Sequence, residues 1–242
     1  STIVALLAQQ YAQKGKRVLV VDTDESNAGL HRLLGTDAPQ DLMDYFGGKK
    51  TMMQAFREAR ENESTSPVES AKTIESIPGI YKTQKDNIHL VAIGKIHQPG
   101  EGCACPMGVL AKQFLTGLEL SENDIAIIDT EAGIEHFGRG IDKVCDAILM
   151  VIDPSYESLN LATMVSEMAE KIGVPLYYVL NKTDERTAPA LRNAIHDKSR
   201  VIGEFPQDAD ILAAGLEGRK LPADYPVVSG IITAIGLKRA FS

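Results

Sequence analysis

Four short stretches carry residue types at spacings that could do chemistry. Val21-Asp22-Thr23-Asp24-Glu25-Ser26-Asn27 places two carboxylates at i and i+2 behind an apolar run. At a strand end such a pair can share the hydration shell of a divalent cation and orient an attacking water. Ile127-Ile128-Asp129-Thr130-Glu131-Ala132-Gly133 closes a second apolar run with an acid and sets a glycine four residues on. A glycine there lets backbone N–H groups approach a terminal phosphate that a side chain would obstruct. Asn181-Lys182-Thr183-Asp184 offers an amide that can both donate and accept, enough to read a purine edge. Cys103-Ala104-Cys105 supplies two thiols, half of a tetrahedral site for one soft ion. A symmetric dimer brings the other half if the two loops meet on the twofold axis. Loop thiols without a ligand are the alternative reading. Taken singly, Asp22, Asp129, Asp153 and Asn181 could each be a polar strand terminator; their order along the chain is what gives them weight.

The remaining sulfur and imidazole groups say less. Cys145 precedes an apolar run and reads as a core thiol. His31 either faces a partner or cofactor loop or is a polar helix-surface residue. His97, six residues before Cys103, either adds a ligand or is solvated. His89, His136 and His196 carry no signal.

The elements that must position these groups alternate from end to end. Ile3, Val4, Leu7, Ala8, Tyr11 and Ala12 form a broad helical apolar face that Gly15 ends. The β-branched run Arg17–Asp22 is too continuous for a one-sided strand and implies burial on both faces. Similar runs recur at Ile88–Ile93, Asp124–Asp129, Ala147–Asp153, Leu176–Asn181 and Arg200–Phe205. Helical patterns separate most of them, at Pro106–Leu118, Ser155–Ile172, Ala188–His196, Asp208–Leu216 and Val227–Leu237. Repeated strand–helix–strand units predict an α/β, doubly wound, mostly parallel sheet flanked by helices, whose carboxyl edge is the ligand edge. Residues 37–86 are irregular, with one predicted helix at Thr51–Glu61 and a polar loop after it. They read as a surface elaboration on a single domain spanning residues 1–242.

Composition excludes several classes. The 242 residues are 44% hydrophobic and 24% charged, an ordinary globular mixture and not a disordered or fibrous one. A net charge of −8 argues against broad nucleic-acid binding. No apolar run of about 18 residues is present, so membrane insertion is not expected. The first residues lack the pattern of a secretory leader, and three cysteines fit a reducing cytoplasm better than a disulfide framework.

Read together, the motifs resemble the deviant-Walker class of P-loop ATPases that includes MinD, ParA and the nitrogenase iron protein. The resemblance rests on Ser1-Thr2 leading a helix, Asp22–Asn27 followed by Gly29-Leu30-His31-Arg32-Leu33-Leu34-Gly35, Asp129–Gly133, Asn181-Lys182 and Phe205-Pro206-Gln207-Asp208. Cys103-Ala104-Cys105-Pro106 resembles the CooC-type branch, accessory ATPases of nickel carbon monoxide dehydrogenase maturation. That resemblance implies ATP and Mg²⁺ as ligands, with Ser1 on Mg²⁺ and Asp22 and Asp129 holding waters of its shell. It implies Asp24 orienting the hydrolytic water, Thr2 at the α-phosphate and Gly133 sensing the γ-phosphate. Asn181, Pro206 and Asp208 would surround the adenine. It further implies a homodimer holding nickel or zinc between subunits through Cys103 and Cys105. The client would be a metalloenzyme of the carbon monoxide dehydrogenase or acetyl-CoA synthase type.

One departure is large. The class's phosphate loop and the strand before it are absent, and Ser1-Thr2 align with the loop's last two positions. The expectation is a longer parent chain, with most phosphate contacts upstream of Ser1. Three rivals stand beside the main reading: a MinD- or ParA-type positioning switch, an iron–sulfur electron donor and an inactive truncated scaffold. The C-terminal Ile231–Ser242 has two basic residues and no clear polar face, little for membrane anchoring. Where the nitrogenase iron protein has a cysteine seven residues after the switch aspartate, this chain has His136.

Overall fold

The structure is a computed structural model describing residues 1–62, 71–96, 105–131, 133–222 and 225–239, with backbone alone at 55, 56, 59–62, 105, 135, 138 and 237–239. The apolar face near the N-terminus becomes α1 (Thr2–Gln13), which buries Ala5, Leu6 and Ala8 and gives way to Gly15 at φ 80°. A positive φ there suits the one residue without a Cβ. The run that follows is β1 (Arg17–Asp22), with the predicted bounds and buried from Val18 onward. Three helices come next: α2 (Leu30–Leu34), α3 (Leu42–Tyr45) and α4 (Gly48–Asn62). Then come β2 (Thr83–Lys85), β3 (Ile88–Ala92), α5 (Cys105–Gly117), β4 (Asp124–Asp129) and α6 (Glu135–Arg139). The remaining order is β5 (Ile148–Ile152), α7 (Tyr156–Ile172), β6 (Leu176–Thr183), α8 (Thr187–Ala194), β7 (Val201–Pro206), α9 (Ala209–Glu217) and α10 (Pro226–Arg239).

The strands hydrogen-bond as two sheets, ordered β2-β3-β1-β4 and β5-β6-β7, parallel throughout except for β2 against β3. Beside β1 and β3 the register runs Val18↔Ile88 to Asp22↔Ala92, and beside β1 and β4 it runs Arg17↔Asp124 to Asp22↔Asp129. Parallel neighbours need long connections, which the intervening helices provide. One apolar layer serves both sheets. It combines Leu6 and Ala8 of α1 and Ile231 of α10 with Val18, Val20 and Leu90 of one sheet and Val179 and Phe205 of the other. The opposite faces are covered separately. Leu110 and Phe114 of α5 pack on Leu19, Val21 and Val91, whereas Ala162, Val165 and Ala169 of α7 pack with Ile152, Tyr178 and Leu180. At Gly203 of β7 a Cβ would come within 2.6 Å of Ile231 Cδ1, so the missing side chain lets α10 lie on the strand.

Two expectations change. β4 and β5 have strand-like apolar sequences and are half-buried over most of their length, each lying at the end of its sheet among the described residues. The 37–86 stretch does more than decorate the surface: Leu42, Met43, Met52, Ile74 and Ile77 are buried against β1, β3 and α5. Its four-residue helix α3 is too short to show a 3.6-residue period, whereas the helix expected at Thr51–Glu61 is present within α4.

Candidate functional site

The carboxyl edge of the first sheet is where the two acid motifs meet. Asp22 and Asp129 are the last residues of β1 and β4 and are direct register partners. Both are buried, as is Thr23, whose N–H and hydroxyl donate to the Asp129 carbonyl at 2.9 and 2.8 Å. This crossing bond stitches the loop after β1 to the end of β4. The Ser1 hydroxyl donates to Asp129 Oδ2 at 2.6 Å, and the Ser1 nitrogen lies 3.2 Å from Oδ1. Asn27 Nδ2 in turn donates to Ser1 Oγ at 3.0 Å, so Ser1, Asn27 and Asp129 form one chain of contacts at the start of α1. Thr2 is the first residue of that helix.

Lys95, which no local signal marks, brings a side-chain cation to this centre. Its ammonium donates to Asp22 Oδ2 at 2.7 Å and also to the carbonyls of Asp24 and Asn27. Burial pushes the Asp22 carboxyl up to about 6, Lys95 pulls it back, and Asp129 adds to the rise. Asp24 is held differently. Its Oδ1 accepts from the Ser26 N–H, the Ser26 hydroxyl and the Asn27 N–H at 2.9, 2.8 and 3.0 Å. Burial works against its charge, but these bonds outweigh it and hold Asp24 below the usual carboxylate value. All three bonds fall on Oδ1, so Oδ2 is the atom that can orient a water. Gly133, beyond the end of β4, takes φ 139°, which only a residue without a Cβ adopts easily. Ser1, Asp22 and Asp129 thus gather a hydroxyl and two carboxylates, hard oxygen donors of the kind Mg²⁺ takes through water.

A second pair of charges lay outside the sequence reading. Glu25, 5% exposed, accepts from Arg139 Nη1 of α6 at 2.6 Å. Both partners are distant in sequence, so nothing local announces the pair.

The predicted purine set lies at the edge of the second sheet. Asn181 Nδ2 donates to Asp153 Oδ1 at 2.7 Å, while Lys182 Nζ donates to Oδ2 at 2.6 Å. Asp153 follows β5, and Asn181 lies two residues before the end of β6, which runs on past the expected boundary to Thr183; the two polar residues pair directly. Pro206 ends β7 opposite Thr183. Asp208 caps α9, accepting from the N–H groups of Asp210 and Ile211 at 2.8 and 2.9 Å, with its other oxygen accepting from the Tyr225 hydroxyl at 3.2 Å. That capping role was readable from an aspartate before a helical pattern.

Of the sulfur residues, Cys103 lies outside the described residues, as does His97. Cys105 is the first residue of α5, and its side chain is not described. Among the described residues no three His, Cys, Asp or Glu groups gather as they would around a metal ion. Cys145 is half-buried, not a fully enclosed core thiol, and burial pushes it up to about 12. His31 sits half-buried in α2, its basicity lowered chiefly by burial. No described helix is long and apolar enough to cross a membrane.

Similarity to known proteins follows this geometry. A protein of Methanocaldococcus jannaschii described as an uncharacterized ATP-binding protein is 44% identical over 232 residues, covering 96% of this chain and 93% of its own. The carbon monoxide dehydrogenase accessory protein CooC of Rhodospirillum rubrum is 28% identical over 219 residues, 90% of this chain and 83% of its own. In fold, the septum site-determining protein MinD of Pyrococcus horikoshii, solved with Mg-ADP, matches with a TM-score of 0.67 at 19% identity, over 100% of this chain and 91% of that one. Residues 1–221 match the CobQ/CobB/MinD/ParA nucleotide binding domain, and the chain belongs to that family.

Proposed function

We propose that this chain is an ATP-hydrolysing switch, a single domain acting as a homodimer, that serves the maturation of a metalloenzyme and holds a soft metal between subunits. The observation that carries the switch is the meeting of Ser1, Asp22 and Asp129 at adjacent strand ends. The maturation role draws support from the CooC relative and from Cys103-Ala104-Cys105-Pro106.

In this reading Ser1 would hold Mg²⁺, with Asp22 and Asp129 fixing waters around it; the ion would neutralise charge on the phosphate oxygens. The remaining work falls to the chain. Thr2, at the start of α1, presents its N–H and hydroxyl to the α-phosphate, where the helix terminus favours negative charge. Gly133 brings backbone N–H toward the γ-phosphate. Asp24 orients the attacking water through the oxygen its own loop leaves free. Asn181, Pro206 and Asp208 border the base at the second sheet's edge. Phosphoryl transfer needs positioning more than covalent chemistry, so these acids act as orienters.

The test combines nucleotide and metal binding. ATP–Mg²⁺ titration of Ser1–Ser242 and of a chain extended upstream measures the nucleotide site. Zinc or nickel analysis with sedimentation measures the other: about one metal per two chains is expected. Cys103→Ser and Cys105→Ser should each abolish it, and Cys145→Ser should leave it unchanged. One metal per monomer, retained by the Cys103→Ser protein, removes the shared site. Nucleotide binding without any metal would leave a positioning switch as the better reading.

A further inference from the structure

The Glu25–Arg139 pair lies between the acid centre and the helix that begins with Cys105. Glu25 belongs to the loop that carries Asp24, and its carbonyl accepts from the Ile96 N–H at 3.1 Å, just beyond β3. Its buried carboxylate accepts from Arg139, which ends α6 in the segment after Gly133. The stem of Arg139 then lies on α5. A Cβ at Gly108 would come within 3.0 Å of Arg139 Cγ and Nε, and closer still to Cδ. One turn along, Lys112 of α5 packs over Gly140, where a Cβ would meet Nζ at 3.3 Å. On the other side of the helix start, Met107 is 3.3 Å from the Cβ position of Gly94, the residue before Lys95.

The first turn of α5 is therefore wedged between the exit of β3 and the end of α6. Both flanks are tied to the loop 23–27, one by Lys95 and the Ile96 N–H, the other by Arg139. Packed contacts of this kind shift as units and do not deform smoothly.

We infer that Arg139 is a positioning residue that links the nucleotide-facing loops to α5, so that a change of nucleotide state is felt at Cys105. The inference rests on the proposed ATP-switch reading. Glu25 and Arg139 make the connection, and Gly108 is the clearance that lets Arg139 span it. Neither charge touches the nucleotide in this scheme; each acts through the loop it holds.

The experiment measures the alkylation rate of Cys105 by iodoacetamide, resolved by mass spectrometry. It uses the wild-type protein of the titration above, with and without Mg-ADP or Mg-ATP. In the wild type, nucleotide should change the rate at least about threefold. Arg139→Gln and Gly108→Ala should each remove most of that change while nucleotide affinity stays within about threefold of wild type. Glu25→Arg with Arg139→Glu should restore part of it, which a loss of general stability would not. If the wild type binds no nucleotide, the ATP-switch reading fails and the inference with it. If nucleotide binds but the Cys105 rate does not respond, or responds fully in Arg139→Gln, the inference alone is overturned.

Discussion

Asp22→Asn should make the unliganded protein more stable near neutral pH, although it removes a group placed in the functional centre. Asp22 is 4% exposed, and burial carries its carboxyl from an ordinary 3.8 up to about 6. Because the folded value lies above the unfolded one, the folded state is favoured most below pH 3.8. It loses that advantage as pH rises through about 6. At pH 7.5 the full cost of keeping the buried carboxylate ionised is present, about 3 kcal/mol at 1.36 kcal/mol per pH unit. Asparagine removes that cost. Its single oxygen can face Lys95 or the Asp24 N–H, which bond Oδ2 and Oδ1 at 2.7 and 3.1 Å, but not both. The lost bond takes back about 1 kcal/mol, leaving a net gain of about 2 kcal/mol. For a chain of this length that corresponds to a melting temperature about 4–8 °C higher. Thermal and urea denaturation of both proteins from pH 8 to 4.5 tests this, and the gain should shrink toward the acid end as the wild-type carboxyl takes up its proton. An equal or lower stability at pH 7.5, or a gain independent of pH, would show that Lys95 already offsets the burial of Asp22.

Asp24→Asn should lower ATP turnover by roughly 100-fold or more with nucleotide still bound, because the amide lacks the charge that orients water; wild-type turnover would remove Asp24 from the mechanism. Asp124→Asn should cost about 2–3 kcal/mol in urea melts at pH 7. Arg17 bonds that carboxylate at 2.6 and 2.7 Å and holds it below its ordinary 3.8, so the difference from wild type should narrow only as pH falls below that value. Gly203→Ala should destabilise by about 1–3 kcal/mol through collision with Ile231, seen as a lower melting temperature, and Ile231→Val should recover part of it.

Much of the fold was legible because its signals are local. A continuous β-branched run defines β1 to the residue, and Asp124–Asp129 does the same for β4. The carboxyl-edge rule placed Asp22 and Asp129 at strand ends, but their adjacency depends on strand order, which joins residues 107 positions apart and leaves no local trace. Lys95, Glu25 and Arg139 went unread for the same reason. Each is an ordinary charged residue until a distant partner in the fold buries it. Asp208 shows the converse, since a cap signal one residue before α9 was present and was read only as a base contact. In the 37–86 stretch α4 was periodic enough to be read, but α3 is too short for periodicity and the buried Leu42, Ile74 and Ile77 fill another element's face.

The shared layer under both sheets, with a separate layer over each, has a consequence for how the protein opens. α1 and α10 pack at once on Val18, Val20 and Leu90 of one sheet and on Val179 and Phe205 of the other, so they couple the two sets of strands. A loosening of α1 is therefore felt by both, and the strands it serves should open as one cooperative unit. Native-state hydrogen exchange of Leu6→Ala should show the amides of β1 and β6 weakening together, and weakening of β1 alone would refute the coupling. A ligand held at the start of α1 should in turn slow exchange in β6 and β7, far from any atom it touches.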